Sequence, residues 1–174
     1  MRSPARASDK DHYFRIVDSP IGLLRLVANE DSLVAISWED DGAHRVPPDG
    51  MEASRHPVLV EAALQLEQYF AGKRKSFELK LRFTGTDFQR KVWNALLTIP
   101  FGETRSYGQI AAQIGHPSAI RAVGAANGQN PIPIVAPCHR VIGSTGKLVG
   151  FGGGLPRKAQ LPTLEGVLSG EMAI

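Results

Sequence analysis

The strongest constraint on this chain is a change of hydrophobic period at Thr84–Gly85–Thr86. Before it, "HYFRIVDS", "GLLRLVANE" and "SLVAISWE" alternate apolar and polar residues, with turn-forming residues at Ser19–Pro20 and from Asn29 to Ser32. Successive strand side chains point to opposite faces, so these runs predict three antiparallel strands joined by short turns. A polar connector, "DDGAHRVPPDGMEASRHP", leads into "VLVEAALQLEQYFAG", where Leu59, Ala63, Leu66 and Phe70 recur at helical spacing ahead of Gly72. One helix covering the sheet is expected. "FELKLRF" alternates again, with Phe77, Leu79, Leu81 and Phe83 on one side, and predicts an extended crossing into the second half.

After Thr86 the period is helical. Thr86, with Gln89 three residues on, forms a capping box ahead of "FQRKVWNALLTI", whose Phe88, Val92, Leu96 and Ile99 share a face before Pro100 and Gly102 end it. Ser106 can cap "YGQIAAQIG", Gly115–His116–Pro117 makes a tight joint, and Ser118 can cap "AIRAVGAANG". Two short helices around a three- or four-residue Gly-containing turn have the form of a helix-turn-helix, a corner used by DNA-binding and ordinary helical proteins alike. Ala122, Gly124, Ala125 and Ala126 keep the second helix thin, and Arg121 is its one long charged residue. Such a helix lies close to something: a neighbouring helix, or a nucleic-acid groove into which Arg121 projects.

A chain of 174 residues, 43% of them hydrophobic, can bury one good core or two small ones, which excludes disordered and fibrous classes. No apolar run is long enough to span a bilayer, and "MRSPARASDKD" lacks the apolar segment of a secretory signal, so a soluble intracellular protein with a short loose tail is expected. The net charge of +3 is unevenly spread: 12 basic against 13 acidic residues up to Thr86, and 8 against 4 from Asp87 onward. The basic half is the helical half. That asymmetry suits either a solvated face or an anionic partner.

The only cysteine stands in "IPIVAPCHRVIG". It has no disulfide partner within the chain, so Cys138 is either a small buried hydrophobe or a nucleophile. An ordinary thiol, with a pKa near 8.5, is mostly protonated at neutral pH and needs a base or a positive field to react. His139 is the nearest base by sequence, although neighbours on an extended strand face opposite ways, so contact requires a turn or a bridging water. Glu165 in "LPTLEGV" is a chemically suitable carboxylate for holding the histidine, though spacing alone does not select it.

The strings "NPIPIVAPCHRVIG", "GKLVGFGGGLPRK" and "LEG", with "YGQIAAQIGHPSAIRAVGAANGQNP" upstream, resemble the O6-alkylguanine-DNA alkyltransferases, also called methylated-DNA–protein-cysteine methyltransferases. The resemblance covers the second half at consistent spacing and extends less specifically over the first. It implies an α+β fold: a ribonuclease-H-like antiparallel sheet with a helix over residues 12–85 behind a flexible tail, 1–11, then a helical winged helix-turn-helix domain over 86–174. It implies transfer of an alkyl group from O6-alkylguanine in duplex DNA to Cys138, once per molecule, by base flipping and without a cofactor. His139 would act as base through a water, Glu165 would polarise it, and Asn130 would tie the turn ahead of the cysteine. Arg121 would fill the space left by the extruded nucleotide and Tyr107 would press on the adjacent phosphate, with Ser118, Ala122, Ala126, Asn127 and Ser144 at the DNA. Val141, Val149, Gly150, Phe151 and Gly152 would wall the guanine pocket.

The resemblance further implies a cytoplasmic monomer acting on DNA, with cooperative binding and O4-alkylthymine repair left open. Three departures carry expectations. Phe151 replaces a tyrosine whose hydroxyl could assist the leaving guanine, which predicts slower reaction or reliance on a backbone N–H. Pro162 interrupts the last helix, which costs about 3 kcal/mol or kinks it and so disturbs Glu165. His12, His44 and His56 stand without cysteines and predict surface positions and no metal. A non-catalytic sensor of alkylated DNA is the alternative, although such relatives replace the cysteine; a Cys-His hydrolase has only the dyad in its favour.

Overall fold

A computed structural model describes residues 11–39, 50–143, 161, 162 and 165. The chain divides into two compact units, Met1–Arg82 and Phe83–Ile174.

In the first unit, β1 (Tyr13–Val17), β2 (Leu24–Ala28) and β3 (Leu33–Trp38) form the expected antiparallel meander. A two-residue β4 (Met51–Glu52) adds a parallel edge to β1, giving the order β3-β2-β1-β4. α1 (Pro57–Phe70) covers the sheet. His56 accepts from the Val58 N–H through Nδ1 at 3.2 Å and so caps α1, with Pro57 supplying the first helical φ. Both His12 and His56 are half-buried rather than free at the surface.

The face of α1 differs from the expected one. Leu59, Ala62, Gln65, Leu66 and Tyr69 are buried, while Ala63 and Phe70 lie at the margin. α1 is apolar over much of its circumference, so periodicity alone places its stripe only to within one residue. Leu24, Leu26, Leu33, Ile36 and Trp38 complete the core, and Phe14, Val27, Val34 and Ala35 pack in a second cluster.

"FELKLRF" keeps the expected alternation of burial but forms only one ladder position, Leu33 with Leu81. The Gln65 side chain satisfies part of the remaining backbone. It donates to the Glu78 carbonyl at 3.1 Å and accepts from the Glu78 N–H at 2.8 Å.

The second unit contains α2 (Asp87–Leu96), β5 (Arg105–Ser106), α3 (Tyr107–Gln113), α4 (Ile120–Gly128), a tight helical turn at Cys138–Arg140, and β6 (Val141–Ile142). The Thr86–Gln89 capping box is present, and Ser106 with Gln109 forms another at the head of α3. Ser118 does not cap α4. The N-cap is Ala119, without a side-chain bond, because the Ala119 N–H closes on the His116 carbonyl and carries Ser118 into the preceding turn. The joint between α3 and α4 spans six residues, 114–119, rather than three or four, and Gly115 turns it with φ of 81°. Val92, Trp93, Leu96, Ile99, Ile110, Ala111 and Val123 form the core. The Trp93 indole N–H donates to the Ala126 carbonyl at 2.8 Å and fixes α4 to α2.

Candidate active site and nucleic-acid face

The approach to Cys138 is stiff. Pro131, Pro133 and Pro137 fix φ along "PIPIVAP", while Ile132, Ile134, Val135 and Ala136 are buried between them. Ile134 has φ of 75°, a conformation that costs a β-branched residue about 1–3 kcal/mol and survives only where its surroundings hold it. The hold is Asn130. Its Oδ1 accepts from the Ile132 N–H at 3.0 Å and its Nδ2 donates to the Ala136 carbonyl at 2.7 Å.

The chain then closes a single tight turn, with the Arg140 N–H on the Pro137 carbonyl at 3.0 Å. An extended strand would send Cys138 and His139 to opposite faces; the turn buries both, with Arg140, at 0%, 1% and 7% exposure. β6 leaves the turn and pairs in parallel with β5, Arg105 with Val141 and Ser106 with Ile142. The cysteine turn is thereby joined to the head of α3.

His139 Nε2 stands 3.0 Å from Glu165 Oε1. The same carboxylate accepts from Arg140, Nε to Oε1 at 3.0 Å and Nη2 to Oε2 at 2.5 Å, while Arg140 Nη1 donates to the Ile99 carbonyl at 2.8 Å. Burial would raise the Glu165 carboxyl pKa, but hydrogen bonds from His139 and then Arg140, reinforced by their charges, outweigh it and bring it to about 2. A carboxylate that stays ionised at Nε2 favours the proton on that nitrogen, leaving Nδ1 as the basic atom of the imidazole.

Arg140 is the residue that sequence reasoning missed. A charge set among apolar residues in "APCHRVIG" was the available signal, since a buried arginine requires a carboxylate. Pro162 does not displace Glu165. Leu161, Pro162 and Glu165 are all helical, and Leu161 is fully buried.

The sites assigned by resemblance separate by face. On α4, Arg121, Ala122 and Ala125 are exposed; Ala126 and Asn127 point inward at 3% and 1% exposure. The expected side-chain contacts of Ala126 and Asn127 with DNA are therefore corrected: Ala126 packs in the core, and the Asn127 amide donates to the Cys138 carbonyl at 3.4 Å. Tyr107 is 8% exposed and packed in the same core, so in this state its ring is not offered to a phosphate. Val141 is fully buried in that core. Ser118 is exposed beside the head of α4. Ser144, Val149, Gly150, Phe151 and Gly152 lie outside the described residues, as does His44.

A buried thiol beside a carboxylate-held imidazole, next to a helix-turn-helix whose second helix shows a bare face with one arginine, defines a cysteine-dependent protein of the DNA-binding class. Residues 87–167 match the family model described as "6-O-methylguanine DNA methyltransferase, DNA binding domain", and residues 12–83 the one described as "6-O-methylguanine DNA methyltransferase, ribonuclease-like domain". A Mycobacterium tuberculosis protein named methylated-DNA–protein-cysteine methyltransferase is 50% identical over 158 residues, covering 88% of this chain and 92% of the relative. One of the same name from Methanosarcina acetivorans is 49% identical over 154 residues, covering 88% and 98%. The crystal structure of the M. tuberculosis protein OGT in complex with DNA superposes with a TM-score of 0.81 at 48% identity, over 90% of this chain and 94% of that one. The chain belongs to the methylated-DNA–protein-cysteine methyltransferase family.

Proposed function

We propose that this protein repairs DNA by moving the alkyl group of O6-alkylguanine in a duplex onto Cys138, once per molecule. The thiol proton passes to His139, the sulfur attacks the alkyl carbon, a C–S bond forms and the C–O bond breaks. The guanine leaves through O6 and takes up a proton as the normal base is restored. The product is a thioether, which water does not hydrolyse as it would an acyl-enzyme, and nothing among the described residues offers a regenerating step. The observation that carries this reading is the buried Cys138–His139 turn with its carboxylate at 3.0 Å.

Because Cys138 is fully buried and O6 lies within the base stack, the damaged nucleotide must leave the duplex to react, at a cost of a few kcal/mol. Arg121, exposed near the start of α4, is suited to occupy the vacated space, and the small exposed residues Ala122 and Ala125 allow close approach to a minor groove. Readout there is largely indifferent to sequence, as repair in any context requires. Asn130 fixes the reactive turn, Glu165 orients His139, and Arg140 holds Glu165. We read the second unit as the DNA-facing and reactive one, working as a monomer wherever the cell keeps its DNA. The sensor alternative is not favoured, because its defining loss, the cysteine, has not occurred.

The test is direct. Incubation with a duplex containing O6-methylguanine, followed by intact and peptide mass measurement, should find one methyl on the Cys138 peptide and guanine restored in the DNA. Binding without mass gain would refute the transfer.

A further inference from the structure

Asn127 is the residue whose sequence-based role and structural place differ most. The last turn of α4 brings it above Asn130, whose N–H meets the Asn127 carbonyl at 3.4 Å. The two amides hold alternate carbonyls of the reactive segment, Asn127 that of Cys138 at 3.4 Å and Asn130 that of Ala136 at 2.7 Å. The two amides therefore hold the carbonyls on either side of Pro137 from the end of α4 and the residues just after it.

The two asparagines are not equivalent. Asn130 uses both amide atoms, its oxygen accepting from Ile132. The Asn127 oxygen is buried and meets no donor among the described residues, in a side chain belonging to a residue only 1% exposed. An apolar residue of the same shape would avoid the cost of that orphaned acceptor, so stability does not explain the asparagine.

We propose that Asn127 is a positioning residue for the alkyl transfer, holding the Cys138 carbonyl and keeping its oxygen as acceptor for a water that takes the thiol proton and passes one of its own to His139. The inference rests on the alkyl-transfer reading above. Among the described residues, the titratable and charged side chains at the cluster around Cys138 are Tyr107, His139, Arg140 and Glu165, while α2 and α4 contribute the apolar Val92, Trp93, Ala95, Leu96, Val123 and Ala126. Loss of the Asn127 amide therefore slows proton removal near neutral pH. It matters less as pH rises and hydroxide does the same work.

The experiment is single-turnover reaction of the full chain with free O6-benzylguanine, comparing wild type with Asn127→Leu and Asn127→Ala and recording a melting curve for each. The Leu variant should melt at or above the wild-type temperature. In both folded variants the limiting rate should fall about tenfold at about pH 7 with an unchanged half-saturating concentration, and the deficit should shrink to about twofold by about pH 9.5. A folded variant reacting within about twofold of wild type at pH 7, or carrying the same deficit at every pH, overturns the role. So does a higher half-saturating concentration with the limiting rate intact. Wild type that leaves Cys138 unalkylated would instead remove the transfer reading on which the inference stands.

Discussion

The two units solve the same folding problem with opposite chemistry. In the first, the buried polar residues among those described are Asn29, Ser32, Ser37 and Gln65, all uncharged, and apolar strands meet an apolar helix. In the second, His139, Arg140 and Glu165 are buried together and Ile134 stands at positive φ, all within the segment that presents Cys138 or the residues it depends on. Local propensity, pattern and packing agree in the first unit; in the second they conflict where the chemistry is. Such conflict is expected at a functional site, where geometry is held at the expense of stability.

The sharpest way to test that contrast is to cut one buried charge from its partners. Glu165→Gln leaves Arg140 without a counter-charge, and truncating one member of a buried pair costs about 3–5 kcal/mol. Leu26→Ala in the first unit should cost about 2–5 kcal/mol by creating a cavity. Denaturant melts should show similar losses. The double variant Arg140→Met/Glu165→Leu should recover most of the stability and none of the alkyl transfer, because an apolar pair removes the orphaned charge but leaves His139 unheld. Recovery of transfer in the double variant would show that His139 does not depend on the carboxylate.

What could be read from the sequence divides along the same line. The three strands were legible because alternation and turn residues coincide. β4 was not, since Met51 and Glu52 are both exposed and two residues carry no period. Both capping boxes have sequence signatures, yet the cap assigned to Ser118 failed because a turn closed by His116 comes first, and that depends on backbone geometry rather than residue type. At the site, Cys138, His139 and Glu165 were legible as chemistry, while their meeting depends on a turn that no spacing specifies. Asn127 was placed at the DNA because its helix was; which face it occupies followed only from the packing of Trp93 against the Ala126 carbonyl.

Acid should separate the units next. The Glu165 carboxyl titrates at about 2 in the folded protein against an ordinary 4.5. Its stabilising contribution is therefore complete above about pH 4.5 and fades as pH falls toward 2. No carboxylate among the described residues of the first unit is buried; Asp31, lowered by hydrogen bonds from Lys80 and Ser32, lies at the surface, where solvent screens it. Each unit has its own buried tryptophan, Trp38 and Trp93. Single-tryptophan variants, Trp93→Phe and Trp38→Phe, should show the Trp93 environment melting at a lower temperature at about pH 3 than at about pH 6, by more than that of Trp38. Equal shifts at both reporters would mean that Glu165 does not set the acid limit.

The smallest effect concerns backbone alone. Gly115 turns the α3–α4 joint at φ of 81°, and a Cβ built there meets nothing within 4 Å, so Gly115→Ala adds strain without a clash. Left-handed backbone costs a non-glycine residue about 1–2 kcal/mol, partly offset by the reduced freedom of the unfolded chain. The net loss should be about 1 kcal/mol. Asn tolerates that conformation, so Gly115→Asn should regain most of it in the same melt. At Gly22 in the first unit, with φ of 111°, an added Cβ would touch Trp38 Cδ1 only at an ordinary 3.6 Å, so strain should again dominate. That φ lies well outside the left-handed well near 57°, so Asn should not rescue Gly22 as it does Gly115. Rescue at both positions, or at neither, would mean that the two turns are not distinguished by backbone conformation.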